Sequence, residues 1–270
     1  MASQYRPNNV GILAIEIYFP STYVNHSDLE NFDGVSKGKY TIGLGQQSIA
    51  FTGDREDVNS IALTCVQSLL QKYAIHPNEV GRLEVGSETL VDKSKSTKTV
   101  LMRLFSPENI EMEGVSTLNA CYGGTAAFFN AVDWIESSAW DGRFALVVMP
   151  EIAIYDKGPA RPTSGCGAIA MLLGPNASIV LDSRTRTTCS GDIYDFYKPD
   201  PSTEYPVVDG STSQTAYVKA LDLCYSRFAS KQSGSCVLSD FRNVVFHSPY
   251  NKLVQKAFAR VCAPPSSRVG

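Results

Sequence analysis

The segment "NACYGGTAAFFNAVDWIESSAW" (residues 119–140) joins a cysteine and two glycines to an amphipathic stretch. The preceding residues "GVSTLNA" (114–120) predict a β-strand, and residues 122–138 predict an α-helix. The cysteine is therefore placed at the N-terminus of a helix, where free amide groups and the helix dipole favour a thiolate. We expect Cys121 to have a lowered pKa and to act as a nucleophile. The alternative is a small, buried structural cysteine.

The overall composition is that of an ordinary globular protein. The chain has 270 residues and a net charge of −3, which gives no indication of a nucleic-acid-binding or membrane-binding surface. Seven cysteines at irregular spacings predict neither a disulfide framework nor a zinc site. The N-terminal residues do not resemble a signal region and no apolar run is long enough to span a membrane, so the cytosol is the expected location.

Predicted strands and helices alternate along most of the chain, which indicates an α/β layered fold. Ser27 and Glu30 have the spacing of a capping box, and Pro249 suits the first turn of a helix. Residues 183–210 predict a long loop. The predicted strands are 9–20, 82–87, 114–120, 144–149, 168–175, 178–182 and 242–247, and the predicted helices are 25–34, 55–75, 96–105, 122–138, 214–230 and 249–262.

Three polar residues lie at the carboxyl ends of predicted strands: Glu88 and Cys121 follow their strands, and His247 ends its own. Ligands of α/β sheets bind beyond the carboxyl ends of strands, so these side chains are candidates for one site. Burial at a strand end would raise the pKa of Glu88 and suit it to acid–base catalysis, and His247 would polarise a carbonyl group. An exposed glutamate and a structural core histidine are the alternatives. His26 and His76 lie in polar segments and are expected to be exposed.

Two lysines near the C-terminus form a candidate phosphate-binding pair. Lys252 and Lys256 are four residues apart and therefore share one face of the predicted helix. They would hold phosphate groups near His247, or they form an ordinary solvated basic face.

Taken together, eight segments resemble the hydroxymethylglutaryl-CoA (HMG-CoA) synthase family of the thiolase-like superfamily. They are "VGILAIEIYFP", "FDGVSKGKYTIGLGQ", "GRLEVGSETLVDKSKSTKT", "NACYGGTAAFFNAVDWIESSAWDGR", "ARPTSG", "YDFYKPD", "EYPVVDG" and "FHSPYNKLVQK". The resemblance implies a thiolase-like α/β fold of two similar halves and a homodimer. Residues 1–182 correspond to the N-terminal half with its nucleophile, and residues 183–270 to a connecting loop and an incomplete second half, so the chain is expected to be C-terminally truncated.

The resemblance also implies a reaction of the mevalonate pathway. Acetyl-CoA, acetoacetyl-CoA and water would give HMG-CoA and CoA through an acetyl-cysteine thioester, without a metal or redox cofactor. By motif, Cys121 corresponds to the nucleophile and Glu88 to the general acid–base residue. His247 corresponds to the residue that orients acetoacetyl-CoA and polarises its ketone.

Further positions carry over from the family as ligand contacts or supporting groups. The substrate-binding positions and CoA-binding positions fall on Ser36, Lys37, Thr163, Ser213, Lys252 and Lys256. The supporting positions fall on Asp92, Tyr122, Glu151 and Asp195.

The sequence departs from the family in the stretch that follows the fourth predicted strand. Glu151, after Pro150, stands where the family usually has Asp, and an added methylene would misplace a site carboxylate. Ser164 stands where the family usually has Gly and would be strained if its φ were positive. Two other readings stay open: another thiolase-fold condensing enzyme, and a non-catalytic, CoA-binding fragment that depends on a partner.

Overall fold

The computed structural model describes residues 7–232 and 237–263 of the chain. These residues form two compact units. Unit 1 comprises Met1–Tyr23, Ala50–Ala153 and Gly165–Leu181, and unit 2 comprises Val24–Ile49, Ile154–Ser164 and Asp182–Gly270. Both units draw on separated parts of the chain, and the division into halves after residue 182 stays a prediction. No helix within the described ranges has the length and the hydrophobicity needed to cross a membrane.

The order of elements agrees with the alternation predicted from the sequence. The strands are β1 (Gly11–Tyr18), β2 (Tyr23–Asn25), β3 (Ser48–Ala50), β4 (Val80–Gly86), β5 (Ser116–Thr117), β6 (Phe144–Ala153), β7 (Gly165–Gly174), β8 (Ile179–Val180), β9 (Phe196–Tyr197) and β10 (Val207–Val208). The α-helices are α1 (His26–Asp33), α2 (Val58–Lys72), α3 (Thr97–Leu101), α4 (Tyr122–Ile135), α5 (Gly210–Lys231) and α6 (Asn251–Cys262).

Unit 1 is built on a mixed sheet with the strand order β5-β4-β6-β7-β1-β8. Strand β4 runs parallel to β5 and β6, whereas the pairs β6–β7, β7–β1 and β1–β8 are antiparallel. Because β4 and β5 are parallel neighbours, the residues that follow them emerge at the same edge of the sheet.

Helices cover both faces of this sheet. Helix α2 packs on β1, β6 and β7, and helix α4 packs on β4 and β6. Successive residues of β6 point to opposite faces: Leu146 and Val148 join the core beside α2, and Ala145 and Val147 join the core beside α4. Because side chains on both faces of β6 are buried, its sequence is a continuous apolar run.

Three local sequence predictions are wrong. Glu30 does not close a capping box with Ser27, because its carboxylate is used by a following loop. Pro249 precedes α6, which begins at Asn251 after the N-cap residue Tyr250. Residues 242–247 form no strand, since no neighbouring strand in the described part of the chain pairs with them, and Val245 is 92% exposed.

Unit 2 contains the long segment 183–210 and the helices α5 and α6. The segment is mostly irregular, as predicted, and includes the antiparallel pair β9–β10. The two helices pack together, and the Arg260 guanidinium donates to both carboxylate oxygens of Asp222, from Nε to Oδ1 at 3.2 Å and from Nη2 to Oδ2 at 2.8 Å. A bidentate pair of this kind fixes the relative rotation of the helices as well as their contact.

Candidate functional site

The first turn of α4 lies directly against the end of β4. A Cβ atom built on Gly86 would overlap the carbonyl carbon of Gly123 and the amide nitrogen of Gly124. A Cβ on Gly123 would lie 3.0 Å from the carbonyl oxygen of Thr117, at the end of β5. The glycines therefore allow the helix start, and Cys121 just before it, to sit at the carboxyl ends of two parallel strands.

We expect Gly86→Ala to destabilise unit 1, because the added methyl group would clash with the backbone of Gly123 and Gly124, and only a shift of the strand or of the helix would relieve the clash. The expected loss in the free energy of unfolding is roughly 1–3 kcal/mol or more, measured by urea denaturation. Gly165→Ala is the matched control, since a Cβ there meets no atom within 4 Å. Equal stability of the two variants would show that the close contact is not needed.

Cys121 sits on a strained turn between β5 and α4. Ala120 has a φ of 37°, in the left-handed region that residues with a Cβ rarely adopt. The turn is closed by the Gly123 amide, which donates to the carbonyl oxygen of Asn119 at 2.9 Å. A conformation of this kind costs of order 1–3 kcal/mol and persists where the surrounding structure enforces it, which happens most often at functional sites.

The protonation state of Cys121 differs from the sequence-based expectation. The residue is exposed, yet partial removal of water from its thiol, together with the negative charges of Glu88 and Glu151, raises its pKa to about 11. The prediction of a lowered pKa is therefore wrong, because desolvation and the two carboxylates outweigh the backbone hydrogen bond that lowers the pKa. The resting residue is a thiol at neutral pH, and a proton must leave it before or during nucleophilic attack.

The raised pKa predicts how Cys121 reacts with iodoacetamide. Because only the thiolate reacts, its alkylation rate should rise about tenfold per pH unit from pH 7 to pH 10. A free cysteine, with a pKa of about 8.5, would level off above about pH 9. Peptide mass spectrometry separates Cys121 from the other cysteines. Glu88→Gln should shift the pH dependence of Cys121 alkylation to lower pH. An alkylation rate that levels off near pH 8 in the unmodified protein would contradict the raised pKa of Cys121.

Glu151 holds the turn that carries Glu88. One carboxylate oxygen accepts hydrogen bonds from the Glu88 amide at 2.9 Å and from the Ser87 hydroxyl at 3.3 Å. The other accepts from the Thr89 hydroxyl and from the amide of Ile152, the latter at 3.1 Å. Both carboxylate oxygens of Glu151 are thus hydrogen-bonded, although its side chain is one methylene longer than the Asp that is usual in the family. These bonds fix the backbone on either side of the half-buried Glu88. The raised pKa expected for Glu88 stays a prediction.

Two further predicted residues lie in unit 1. Asp92 accepts hydrogen bonds from the amides of Lys95 and Ser94, both at 2.7 Å, and these bonds lower its pKa. It therefore closes the turn of its own loop. Tyr122 is the first residue of α4 and is 47% exposed.

His247 lies in unit 2 and is held by α5. The Tyr217 hydroxyl donates to the main-chain carbonyl of His247 at 2.8 Å, and the two rings lie 6.5 Å apart. Although the residue is exposed, partial removal of water from its imidazole lowers the pKa of His247 below its usual value, so the imidazole is neutral at neutral pH. A neutral imidazole offers an N–H donor to a carbonyl oxygen.

The N-terminus of α5 gathers two of the other predicted residues. Asp209 caps the helix by accepting from the amides of Ser211 and Thr212 at 3.1 and 3.0 Å. Its amide donates to the Asp195 carbonyl, and its carbonyl accepts from the Ser213 amide, both at 2.9 Å. Tyr217 follows Ser213 by one helical turn, so Ser213 and His247 are carried by the same part of α5.

The two lysines of α6 contact different neighbours in unit 2. The Lys256 ammonium donates to the Gln214 side chain of α5 at 3.4 Å. The Lys252 ammonium donates to Gln255 at 3.0 Å, and its amide donates to the Leu44 carbonyl at 2.9 Å. Helix α6 therefore bridges α5 and the loop that follows α1.

The remaining binding residues belong to two short segments of unit 2. Ser36 and Lys37 are exposed in the loop after α1, and the Thr163 hydroxyl donates to the Ala160 carbonyl at 2.6 Å. Ser164 has a φ of −60°, so its replacement of the family's glycine introduces no backbone strain.

The predicted residues are thus divided between the two units. Unit 1 places Cys121 and Glu88 together at one sheet edge, and unit 2 holds His247, Asp195 and the six predicted binding residues. Sequence reasoning missed Tyr217, although its spacing from Ser213 is the spacing of one helix face. It also missed that Glu151 holds the Glu88 turn, for which the sequence carries no signal, because the two residues are far apart in the chain and are brought together only when β4 and β6 pair.

Comparison with known proteins identifies the family. The model described as "Hydroxymethylglutaryl-coenzyme A synthase N terminal" matches residues 6–178, and the corresponding C-terminal model matches residues 179–266. Hydroxymethylglutaryl-CoA synthase A of Dictyostelium discoideum is 56% identical over 95% of the chain and 54% of its own length. Cytoplasmic hydroxymethylglutaryl-CoA synthase of Mus musculus is 55% identical over 94% and 51%. The chain therefore spans about half the length of these relatives.

Solved structures agree with this result. A structure described as "MvaS in complex with 3-hydroxy-3-methylglutaryl coenzyme A" has a TM-score of 0.89 and 33% identity, and covers 96% of this chain and 67% of its own. Another, described as an HMG-CoA synthase complexed with CoA, has a TM-score of 0.84 and 25% identity, over 96% and 66%. The expected thiolase-like α/β fold is confirmed, and the chain belongs to the hydroxymethylglutaryl-CoA synthase family.

Proposed function

We propose that the chain condenses acetyl-CoA with acetoacetyl-CoA and water to give HMG-CoA and CoA. The observation that carries this proposal is the placement of Cys121 and Glu88 at the carboxyl ends of adjacent parallel strands, with Glu151 clamping the Glu88 turn. A thiol beside a carboxylate suits a reaction that needs both an acyl carrier and a base for a weak C–H acid.

In the first step, the Cys121 sulfur attacks the thioester carbonyl of acetyl-CoA. The new bond is an acetyl–cysteine thioester, the bond to the CoA sulfur breaks, and CoA leaves as a thiol after taking up a proton. With a pKa of about 11, the Cys121 thiol must pass its proton to a base as it attacks. The Glu88 and Glu151 carboxylates, which raise that pKa, are the charged groups of unit 1 that would accept it.

In the second step, the Glu88 carboxylate removes a proton from the methyl group of the acetyl–cysteine. The resulting carbanion attacks the ketone of acetoacetyl-CoA, whose oxygen becomes an alkoxide and takes the proton back from Glu88. A neutral His247 donates a hydrogen bond to that oxygen, which stabilises the charge as it develops. Water then hydrolyses the cysteine thioester, releasing HMG-CoA and restoring the thiol. Both substrates arrive as activated thioesters, so the chemistry needs neither a metal nor a redox cofactor.

The CoA portions of the substrates would contact Ser36, Lys37, Thr163, Ser213, Lys252 and Lys256. The proposal includes a homodimer and a cytoplasmic location in the mevalonate pathway, with no nucleic-acid or membrane partner. Support for the location comes from the relatives of mouse and chicken, which are described as cytoplasmic.

The test is an assay of products by mass spectrometry after incubation with acetyl-CoA and acetoacetyl-CoA. The proposal predicts HMG-CoA and free CoA in equal amounts. Condensation of other acyl-CoA thioesters without HMG-CoA would instead indicate a different thiolase-fold enzyme. Binding of CoA without any product would indicate a non-catalytic chain that depends on a partner.

A further inference from the structure

We propose that a polar face of α1, formed by His26, Glu30 and Asp33, is a positioning element for the CoA-binding segments of unit 2. These residues are spaced by four and three positions, so they lie on one side of the helix. They hold two segments that are far apart in sequence, the loop 35–45 and the turn 160–164. The inference rests on the proposed function, because these segments carry Ser36, Lys37 and Thr163.

The side chains of these three residues are buried and therefore do not form a solvated surface. His26 is fully buried and Glu30 is 3% exposed, and the Asp33 side chain is 8% exposed. The expectation that His26 lies at the surface is therefore wrong. Burying a polar or charged side chain costs free energy unless it is hydrogen-bonded or paired with an opposite charge. The residues that bond to this helix face therefore indicate its role.

Glu30 organises the loop 35–45. One carboxylate oxygen accepts from the Gly38 amide at 2.8 Å, and the other accepts from the amides of Tyr40 and Thr41, both at 2.8 Å. The Thr41 hydroxyl adds a bond at 3.1 Å. The bonds from Thr41 and Gly38 lower the pKa of Glu30 to about 2, so the carboxylate stays charged throughout the working range of pH. Charge-assisted bonds to three amides give the loop one conformation, with Ser36 and Lys37 on its exposed side.

Asp33 and His26 hold the second segment. The Asp33 carboxylate pairs with the Arg161 guanidinium and also accepts from the Tyr40 hydroxyl at 2.9 Å. His26 donates from Nε2 to the Pro162 carbonyl at 2.7 Å. Arg161 and Pro162 immediately precede Thr163 in the same turn.

The consequence is that one helix sets the distance between two groups of CoA contacts. If the ligand had to order this loop and this turn on binding, the conformational entropy lost in each would lower its affinity. With α1 holding both, Ser36, Lys37 and Thr163 are preorganised before the ligand arrives. Loss of the helix face should therefore weaken CoA binding without changing the chemistry at Cys121.

The variant Glu30→Gln tests the inference with little change in shape. A glutamine accepts with one oxygen only, and its NH₂ group would face an amide donor that now has no acceptor. Asp28→Asn is the matched control, because Asp28 lies on the exposed side of the same helix. Asp33→Asn is the second variant, which loosens the Arg161 segment and leaves the Glu30 bonds in place.

Two measurements are made on each variant. The first is hydrogen–deuterium exchange of the Gly38, Tyr40 and Thr41 amides, which needs no ligand. The second is the rate of Cys121 acetylation as a function of acetyl-CoA concentration, read from intact mass. For Glu30→Gln, we expect exchange and the half-saturating concentration each to rise about tenfold, with the maximal rate within about twofold of the unmodified protein. Asp33→Asn should raise the half-saturating concentration as well.

The possible results separate the inference from the proposed function. Faster exchange with an unchanged half-saturating concentration would overturn the inference, and so would unchanged exchange. A fall in maximal rate alone would also overturn it, because that pattern assigns α1 to the chemistry. Absence of acetylation in the unmodified protein and in Asp28→Asn alike would refute the proposed function and, with it, the role of α1 in CoA binding.

Discussion

Replacing Cys121 with alanine is expected to abolish the acetyl-enzyme and to lower HMG-CoA formation by at least about a thousandfold. Residual condensation would have to proceed without the thiol whose pKa Glu88 and Glu151 both raise, and so without an acetyl–cysteine at this position. Intact mass after incubation with acetyl-CoA measures the first effect, and product analysis measures the second.

Cys189→Ala is the matched control for this prediction. Cys189 is also exposed, but it belongs to unit 2, within the segment 183–210, whereas the start of α4 belongs to unit 1. The control should acetylate and turn over like the unmodified protein. If Cys121→Ala still gained one acetyl group while Cys189→Ala did not, the nucleophile would have been assigned to the wrong thiol.

Glu88→Gln has the second-largest expected effect, and its pattern is different. Loss of the base should lower condensation by roughly 10²–10⁴-fold, because the acetyl methyl group would no longer be deprotonated. The acetyl-enzyme should still form. Removal of one negative charge beside Cys121 also lowers the pKa of its thiol, which offsets any loss of a proton acceptor in the first step.

The separation of the two steps makes this prediction specific. Acetylation of Glu88→Gln is followed by intact mass, and condensation is followed by the appearance of HMG-CoA. Glu108→Gln, at an exposed carboxylate paired only loosely with His76 at 3.7 Å, provides the control and should retain both steps. A Glu88→Gln protein that condenses at the normal rate would remove Glu88 from its assigned role.

The sequence was sufficient to predict the framework around Cys121. Long apolar runs predicted β4 and β6, and a long stretch of helical periodicity predicted α4. In these segments the local sequence pattern and the tertiary contacts favour the same structure. The two glycines after Cys121 lie against Gly86 on β4, where the close approach of the backbones leaves no space for a side chain on Gly86.

Other properties of the site depend on contacts between distant parts of the chain, which periodicity does not report. The raised pKa of Cys121 results from partial removal of water from its thiol and from the charges of Glu88 and Glu151, which lie far from Cys121 in the sequence. The spacing of Glu30 from Ser27 predicted a local helix cap, but its carboxylate accepts hydrogen bonds from the amides of Gly38, Tyr40 and Thr41. Residues 242–247 have the composition of a strand, and a strand without a pairing partner does not form.

Transfer of acetyl from Cys121 to acetoacetyl-CoA is tested by forming the acetyl-enzyme with isotopically labelled acetyl-CoA, removing free acetyl-CoA, and adding acetoacetyl-CoA. We expect the mass of the chain to return to its starting value and the label to appear in HMG-CoA. A stable adduct, or label released only as acetate, would contradict this transfer.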